Sequence, residues 1–367
     1  MKIAILALTR DGKCLARSIA DRLPGQTDLY FKEGCAVEGR ECSFTSLSQL
    51  VQDLFKQYEG LIFVMAAGIV VRVIAPLLKN KALDPAVVVV DEKGSFAISL
   101  LSGHLGGANS LANQISGLIG AMPVITTASD VQGLPSIDLV AQKLGLYIEP
   151  FGHLKYINAA IVNREELGIY ANIDKALLLK RCPELGIKDI NIEPLEQFPN
   201  SVKQYQAVVV ISDCIMPNID QPVLFLRPRI LSVGLGCRRG MPVDAILAAV
   251  KKACEQVGRS PGAIRKLATA WVKADEEGIL QAGRFLNVPV QTFTKEQLQA
   301  AIISYSITSS PYTLEKIGVG AVCEPTALLG AKRGRVILPK QKYNGITVAI
   351  AEESCPWWEL DPVTWNI

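Results

Sequence analysis

Along this chain, short solid runs of apolar residues alternate with stretches in which apolar positions recur every three or four residues. That is the signature of buried parallel strands interleaved with amphipathic helices. The first run covers residues 2–8, and Thr9 is placed to cap a helix over 11–22 that Pro24-Gly25 ends. Leu47, Leu50, Val51, Leu54 and Phe55 predict a helix within 46–58, which Gly60 stops ahead of a strand over 61–65. Ala67-Gly68 opens another helix, ending near Pro76. Residues 85–101, PAVVVVDEKGSFAISLL, predict two strands about a Glu92-Lys93-Gly94 turn, a hairpin added to the sheet. A helix over 106–119 and a strand over 123–125 complete an N-terminal domain, residues 1–131.

Residues 132–228 follow another pattern. Helical stretches at 137–144, 154–162 and 174–179 alternate with polar turns, and 207–211 is the one evident strand. Pro217, Pro222 and Pro228 then read as a linker closing this variable middle segment. From 229 to 353 the alternation resumes, with strands at 230–235, 266–272 and 288–292 and helices at 242–256, 276–286, 295–302 and 324–329. Residues 335–339 and 346–351 predict a closing hairpin, and 354–367 a short aromatic tail. The fold expected is a multi-domain α/β protein, with open α/β sheets and flanking helices in both the N- and C-terminal domains.

Composition narrows the function classes. Apolar residues at 49% and charged residues at 20% describe a globular chain. No apolar run approaches the ~20 residues of a membrane span, and Arg10, Asp11 and Lys13 follow the first run too closely for a signal peptide. A net charge of +3 with no basic block longer than two residues gives no nucleic-acid footprint. The nine cysteines form no C-x-x-C pair and read mostly as small buried residues in the reducing cytoplasm. With only two histidines, no metal site is expected.

Candidate chemistry gathers where strands run into helices, because helix starts favour anions and ligands of open sheets settle at strand carboxyl ends. The first place is 102-SGHLGGAN-109. There the amides around Gly103, Gly106 and Gly107 can receive a carboxylate or phosphate, beside Asn109 and with His104 as donor or proton-transfer group. The same glycines also suit a tight turn with no ligand. At the second, Gly68 leads to Arg72, a cation that either meets a ligand carboxylate or snorkels to solvent. At the third, Thr126, Thr127 and Asp130 either bind ligand or cap a helix, and the three strand ends are expected to share one rim.

In the C-terminal domain, 232-SVGLGCRRG-240 invites a dinucleotide reading. Its G-x-G-x-x-x-G spacing, and the lack of an acid ~20 residues on, depart from that fingerprint. An anion site at Gly236 with Arg238 or Arg239 fits better, and Cys237 is either a small residue in a turn or a thiolate near arginines. Lys273 with Asp275 offers an acid–base pair or a helix cap, and Glu324 is a lone acid in an apolar, glycine-rich setting.

Taken in order, 67-AGIVVRVIAP-76, 84-DPAVVVVD-91, 101-LSGHLGGAN-109 and 124-VITTASD-130 resemble the N-terminal part of the cobalt-precorrin-5A hydrolase family of anaerobic cobalamin biosynthesis. The segments 233-VGLGCRRG-240, 273-KADE-276, 318-GVG-320 with 322-VCE-324, and 345-GITVAIA-351 resemble its second half. The likeness covers residues 1–353, loosely in the middle, and Ser129 stands where the family more often has Thr. The resemblance implies opening of a δ-lactone on a cobalt-containing macrocycle and loss of acetaldehyde, giving cobalt-precorrin-5B. It implies His104 or Glu324 as base, helix-start amides as oxyanion donors, and Arg72, Arg238 and Arg239 for the acetate and propionate arms. Cobalt would arrive inside the tetrapyrrole substrate, with no resident cofactor. Other corrin-pathway enzymes, or a second copy of this chain in a homodimer, are the further candidate partners. The alternative is a non-catalytic tetrapyrrole-binding or shuttling protein. A dinucleotide-dependent oxidoreductase is a third reading, set back by the glycine spacing.

Overall fold

The computed structural model describes residues 1–33, 41–79, 83–104, 106–217 and 219–359. The chain divides into two compact units between residues 139 and 140. The first is built from β1 (Ile3–Ala7), α1 (Arg10–Ala20), β2 (Thr27–Lys32), β3 (Glu41–Phe44), α2 (Leu47–Leu54), β4 (Gly60–Val64), α3 (Ala67–Ile74), β5 (Ala86–Val90), β6 (Phe96–Leu101), α4 (Ala108–Ile119), β7 (Met122–Val124) and α5 (Ala128–Val131). Its strands form one sheet in the order β3-β2-β1-β4-β5-β6-β7. Thr9 and Ser46 cap α1 and α2, each accepting from a backbone N–H of the first turn.

The strands β1, β4 and β5 are buried along their whole length, as solid apolar runs require. Alternate residues serve two cores. Ile3, Ile5, Ile62, Val64 and Val88 pack with Ala16 and Ile19 of α1 and Leu111 and Ile115 of α4. Ala4, Leu6, Leu61, Phe63 and Val87 pack with Val51 and Leu54 of α2 and Val70 and Ile74 of α3. Sequence pattern missed β2 and β3, one of mixed polarity and the other four residues long.

Strand direction decides where the turns lie. β1 to β5 are parallel, β6 runs antiparallel to β5 as the expected hairpin, and β7 runs parallel to β6. Leu101, at the end of β6, therefore sits beside Val87 at the start of β5, which sits beside Leu61 at the start of β4. The turns after β6 and β7 share one rim. The turn after β4 lies on the opposite rim, about 16 Å away along a five-residue strand. The single shared rim expected for all three is thus corrected to a pair on one side and one across the sheet.

Helix α6 (Ile137–Leu144) spans the division, and two five-stranded sheets follow it. The first comprises β8 (Leu146–Glu149), α7 (Leu154–Val162), β9 (Leu167–Ala171), α8 (Lys175–Arg181), β10 (Ile190–Pro194), β11 (Ala207–Ile211) and β12 (Val223–Pro228), in strand order β10-β9-β11-β12-β8. The second comprises β13 (Leu231–Cys237), α9 (Val243–Gln256), β14 (Ile264–Ala270), α10 (Glu277–Phe285), β15 (Val290–Phe293), α11 (Lys295–Ser304), α12 (Pro311–Ile317), α13 (Cys323–Gly330), β16 (Arg335–Tyr343) and β17 (Ile346–Glu352), in order β15-β14-β13-β17-β16.

The proline-punctuated stretch is no loose linker. Pro222 precedes and Pro228 ends the buried strand β12, positions where a missing N–H costs a ladder little. Arg227, 5% exposed, donates to Glu149 at 2.5 Å and to the carbonyls of Ser212 and Cys214 at 2.8 and 2.6 Å. Ser260, beyond β13, donates to the same Glu149 oxygen at 2.8 Å. Arg259 joins Asp213 to Glu352 of β17. The two sheets share this buried polar network. Of the tail, residues 360–367 lie outside the described residues.

Candidate active site

The turns after β6 and β7 bring a set of short polar side chains together. His104, whose side chain is 14% exposed, places Nε2 3.0 Å from Ser129 Oγ and 3.4 Å from Asp130 Oδ2. Asn109, in the first turn of α4, donates from Nδ2 to Asp130 Oδ2 at 2.8 Å and to Thr127 Oγ1 at 3.3 Å. Ser99, on β6, donates to Asn109 Oδ1 at 2.6 Å. The other imidazole nitrogen, Nδ1, is buried without a hydrogen-bond partner among the described residues.

The glycines of this turn have a structural task. Gly107 holds φ +86° at the N-cap of α4. A Cβ on Gly103 would lie 2.7 Å from Asn109 Oδ1, and one on Gly106 would lie 2.4 Å from Ser102 Cβ. The amides of Gly107, Ala108 and Asn109 donate to the carbonyls of His104, Ser102 and Gly103 at 2.9, 3.1 and 3.0 Å. Those three N–H groups are spent inside the turn and are not available to a ligand. Leu105 lies outside the described residues.

Residues expected to join His104 separate into two groups. Thr127 and Asp130 join it, while Thr126 is exposed beside them. Gly68 and Arg72 lie on the opposite rim, where the exposed Arg72 folds back to the Gly68 carbonyl at 3.1 Å. Ser99 and Ser129 were missed. Serine is too common a residue to mark a site; Ser99 reaches it locally through Asn109, and the β6–β7 pairing brings Ser129 to His104.

A second cluster lies where β13 and β14 end side by side. Glu276, 4% exposed, accepts from the Gly240 amide at 2.7 Å and from Lys273 at 2.8 Å. Burial pushes this carboxyl up, but the Lys273 and Gly240 hydrogen bonds and the neighbouring cations outweigh it and hold it below the usual glutamate range. Lys273 is therefore engaged with Glu276 and not with Asp275, which pairs instead with the exposed Arg239 at 3.1 Å. Arg238 lies against Gly345, with its amide donating to the Gly345 carbonyl. Burial pushes the half-buried Cys237 thiol up, with the Lys273 charge opposing, so it is not a poised thiolate.

Close packing explains the glycine spacing on β13. A Cβ on Gly234 would lie 1.9 Å from the Cys323 carbonyl of α13, and one on Gly236 2.7 Å from Thr347 Oγ1. Glu324 opens α13 and accepts from the Lys340 amide at 3.1 Å, where the β16 ladder is irregular. Lys273 and Asp275 have their own partners in Glu276 and Arg239, and no ion pair or hydrogen bond joins Glu324 to them among the described residues.

Among the described residues, no group of three or more His, Cys, Asp or Glu side chains is arranged to hold a metal ion, and no helix is long and apolar enough to cross a membrane. Of the eight described cysteines, all free, Cys182, Cys254 and Cys323 are buried. Cys14 and Cys42 are exposed and the other three intermediate, so fewer are buried than expected. Cys35 lies outside the described residues.

Comparison with known proteins gives matches along most of the chain. Family models described as cobalamin synthesis G N-terminal, cobalamin biosynthesis central region and cobalamin synthesis G C-terminus match residues 49–130, 135–228 and 231–351. A cobalt-precorrin-5A hydrolase of Priestia megaterium is 32% identical over 360 residues, 95% of this chain and 94% of that protein. One of Salmonella typhimurium is 31% identical over 352 residues, 95% of this chain and 97% of that one. Among solved structures, a cobalamin biosynthesis protein G homolog from Sulfolobus solfataricus is 21% identical, covering 96% of this chain and 97% of that one with a TM-score of 0.40.

Proposed function

The chain belongs to the cobalamin synthesis G family, and from that membership we propose that it is a cobalt-precorrin-5A hydrolase whose reacting group is His104. The observation that carries the activity is the match at 32% identity over 95% of the chain to a protein of that name. What supports His104 is its setting, an imidazole with one nitrogen engaged by Ser129 and Asp130 and the other buried and open.

The chemistry asks a base to act twice. A water loses its proton as it attacks the lactone carbonyl, and the ring C–O bond breaks to give a carboxylate and a free hydroxyl on the two-carbon unit. Loss of the hydroxyl proton then forms the C=O of acetaldehyde as the C–C bond to the macrocycle breaks, leaving the electron pair on the ring. One imidazole that accepts and returns a proton serves both steps. In this reading the cobalt is carried by the substrate, the setting is the reducing cytoplasm, and no resident cofactor takes part.

The test is incubation of the purified full chain with cobalt-precorrin-5A under anaerobic conditions, with acetaldehyde and the mass of the macrocycle followed together. One acetaldehyde released per macrocycle consumed is the expected result. Tight binding with an unchanged macrocycle mass would instead support the shuttling protein and overturn the hydrolase.

A further inference from the structure

We infer that Asp130, held by Asn109, fixes His104 in the form that carries its proton on Nε2, which makes Nδ1 the basic atom of the ring. Its meaning for the reaction rests on His104 being the reacting group. An ionised carboxylate only accepts hydrogen bonds, and Asp130 Oδ2 lies 3.4 Å from Nε2. A lone pair on Nε2 would face that carboxylate, while a proton there is drawn by its charge and can be donated to Ser129 Oγ at 3.0 Å. The other tautomer would also bury an N–H at Nδ1 with no acceptor among the described residues, a worse orphan than a lone pair.

Asn109 holds the carboxylate in place. Its Oδ1 receives the Ser99 hydroxyl at 2.6 Å, which turns Nδ2 toward Asp130 at 2.8 Å. The reversed amide would set two oxygens against each other. Asp130 is therefore a positioning residue that acts through His104, in place of the substrate-binding role its sequence context suggested.

The second histidine supplies an internal contrast. His153 Nδ1 lies 2.8 Å from the Val223 carbonyl, which accepts only, so this ring carries its proton on Nδ1. A chain with only two histidines should thus show one ring of each tautomer. Nitrogen-15 NMR of the full-length protein at about pH 8.5, two units above the ordinary histidine pKa of ~6.5, reads both ring nitrogens directly. The His153→Gln variant leaves the His104 signals alone for assignment.

The expected result is His104 protonated on Nε2 in the wild type and in Ser129→Ala, where Asp130 still accepts. In Asp130→Ala the ring becomes a mixture of tautomers, kcat falls roughly 10–100-fold as when an orienting partner is lost, and KM changes less than about threefold. His104 protonated on Nδ1 in the wild type overturns the inference, and that spectrum decides even if a variant fails to fold. An Asp130→Ala ring that stays wholly on Nε2 overturns it too. The spectrum needs no substrate, so it stands or falls separately from acetaldehyde release by His104→Ala, which tests the hydrolase reading.

Discussion

Two glycines eleven positions apart in the sequence, Gly106 and Gly117, separate what a residue does by packing from what its type suggests. A Cβ at Gly106 meets Ser102 Cβ at 2.4 Å and its carbonyl at 2.8 Å, whereas a Cβ at Gly117, on the exposed side of α4, meets nothing within 4 Å. Gly106→Ala should open the turn that carries His104, cutting turnover at least about tenfold and costing roughly 1–3 kcal/mol. Gly117→Ala should raise stability by about 0.5–1 kcal/mol, since alanine is the better helix former. Thermal melting with activity on the same samples checks both, and equal behaviour of the two would contradict the packing account. Glu276 makes a pH-dependent case. Its folded carboxyl is held below the ordinary range, so its contribution is present above the unfolded pKa of ~4.3 and lost as pH falls through the lower folded value. Glu276→Gln should melt below the wild type at pH 7, and the gap should narrow as pH falls below the ordinary glutamate pKa of ~4.3. A gap constant across that range would show that the carboxylate charge is not what stabilises.

Elements were legible in proportion to how solid their apolar runs are. Residues 61–65, 86–90 and 207–211 announce β4, β5 and β11 because both faces of each are buried. The strands β8, β9, β10 and β12 escaped notice because β8 has four residues, β9 contains Gly168, and prolines lie at the ends of β10 and β12. Gly168 is there because a Cβ would lie 2.3 Å from the Tyr205 ring, a tertiary reason invisible to local pattern. The proline-marked stretch is held by Arg227, whose guanidinium serves Glu149 and two carbonyls. Arg227→Met keeps the volume but strands those acceptors, and should cost about 2–4 kcal/mol. A urea midpoint for the second unit that does not move would contradict a binding role for this network between the two sheets.

At the scale of the molecule, scarcity of histidine and a small-residue turn were enough to single out His104 in the sequence. Pairing order alone could bring Ser129 and Asp130 to it and send Arg72 to the far rim, since strand direction is not written in a strand's own residues. The same limit applies to β13 and β14, whose ends gather Lys273, Glu276 and Arg239 in a pairing different from the one residue types suggest. The proposed reaction of this family member, hydrolysis of cobalt-precorrin-5A, runs through His104. The most direct measurement is acetaldehyde released from that substrate by the wild type and by His104→Ala, with both proteins shown to be folded. One acetaldehyde per macrocycle is expected from the wild type, and a rate at least about 100-fold lower from the variant. Equal release from the two would contradict it.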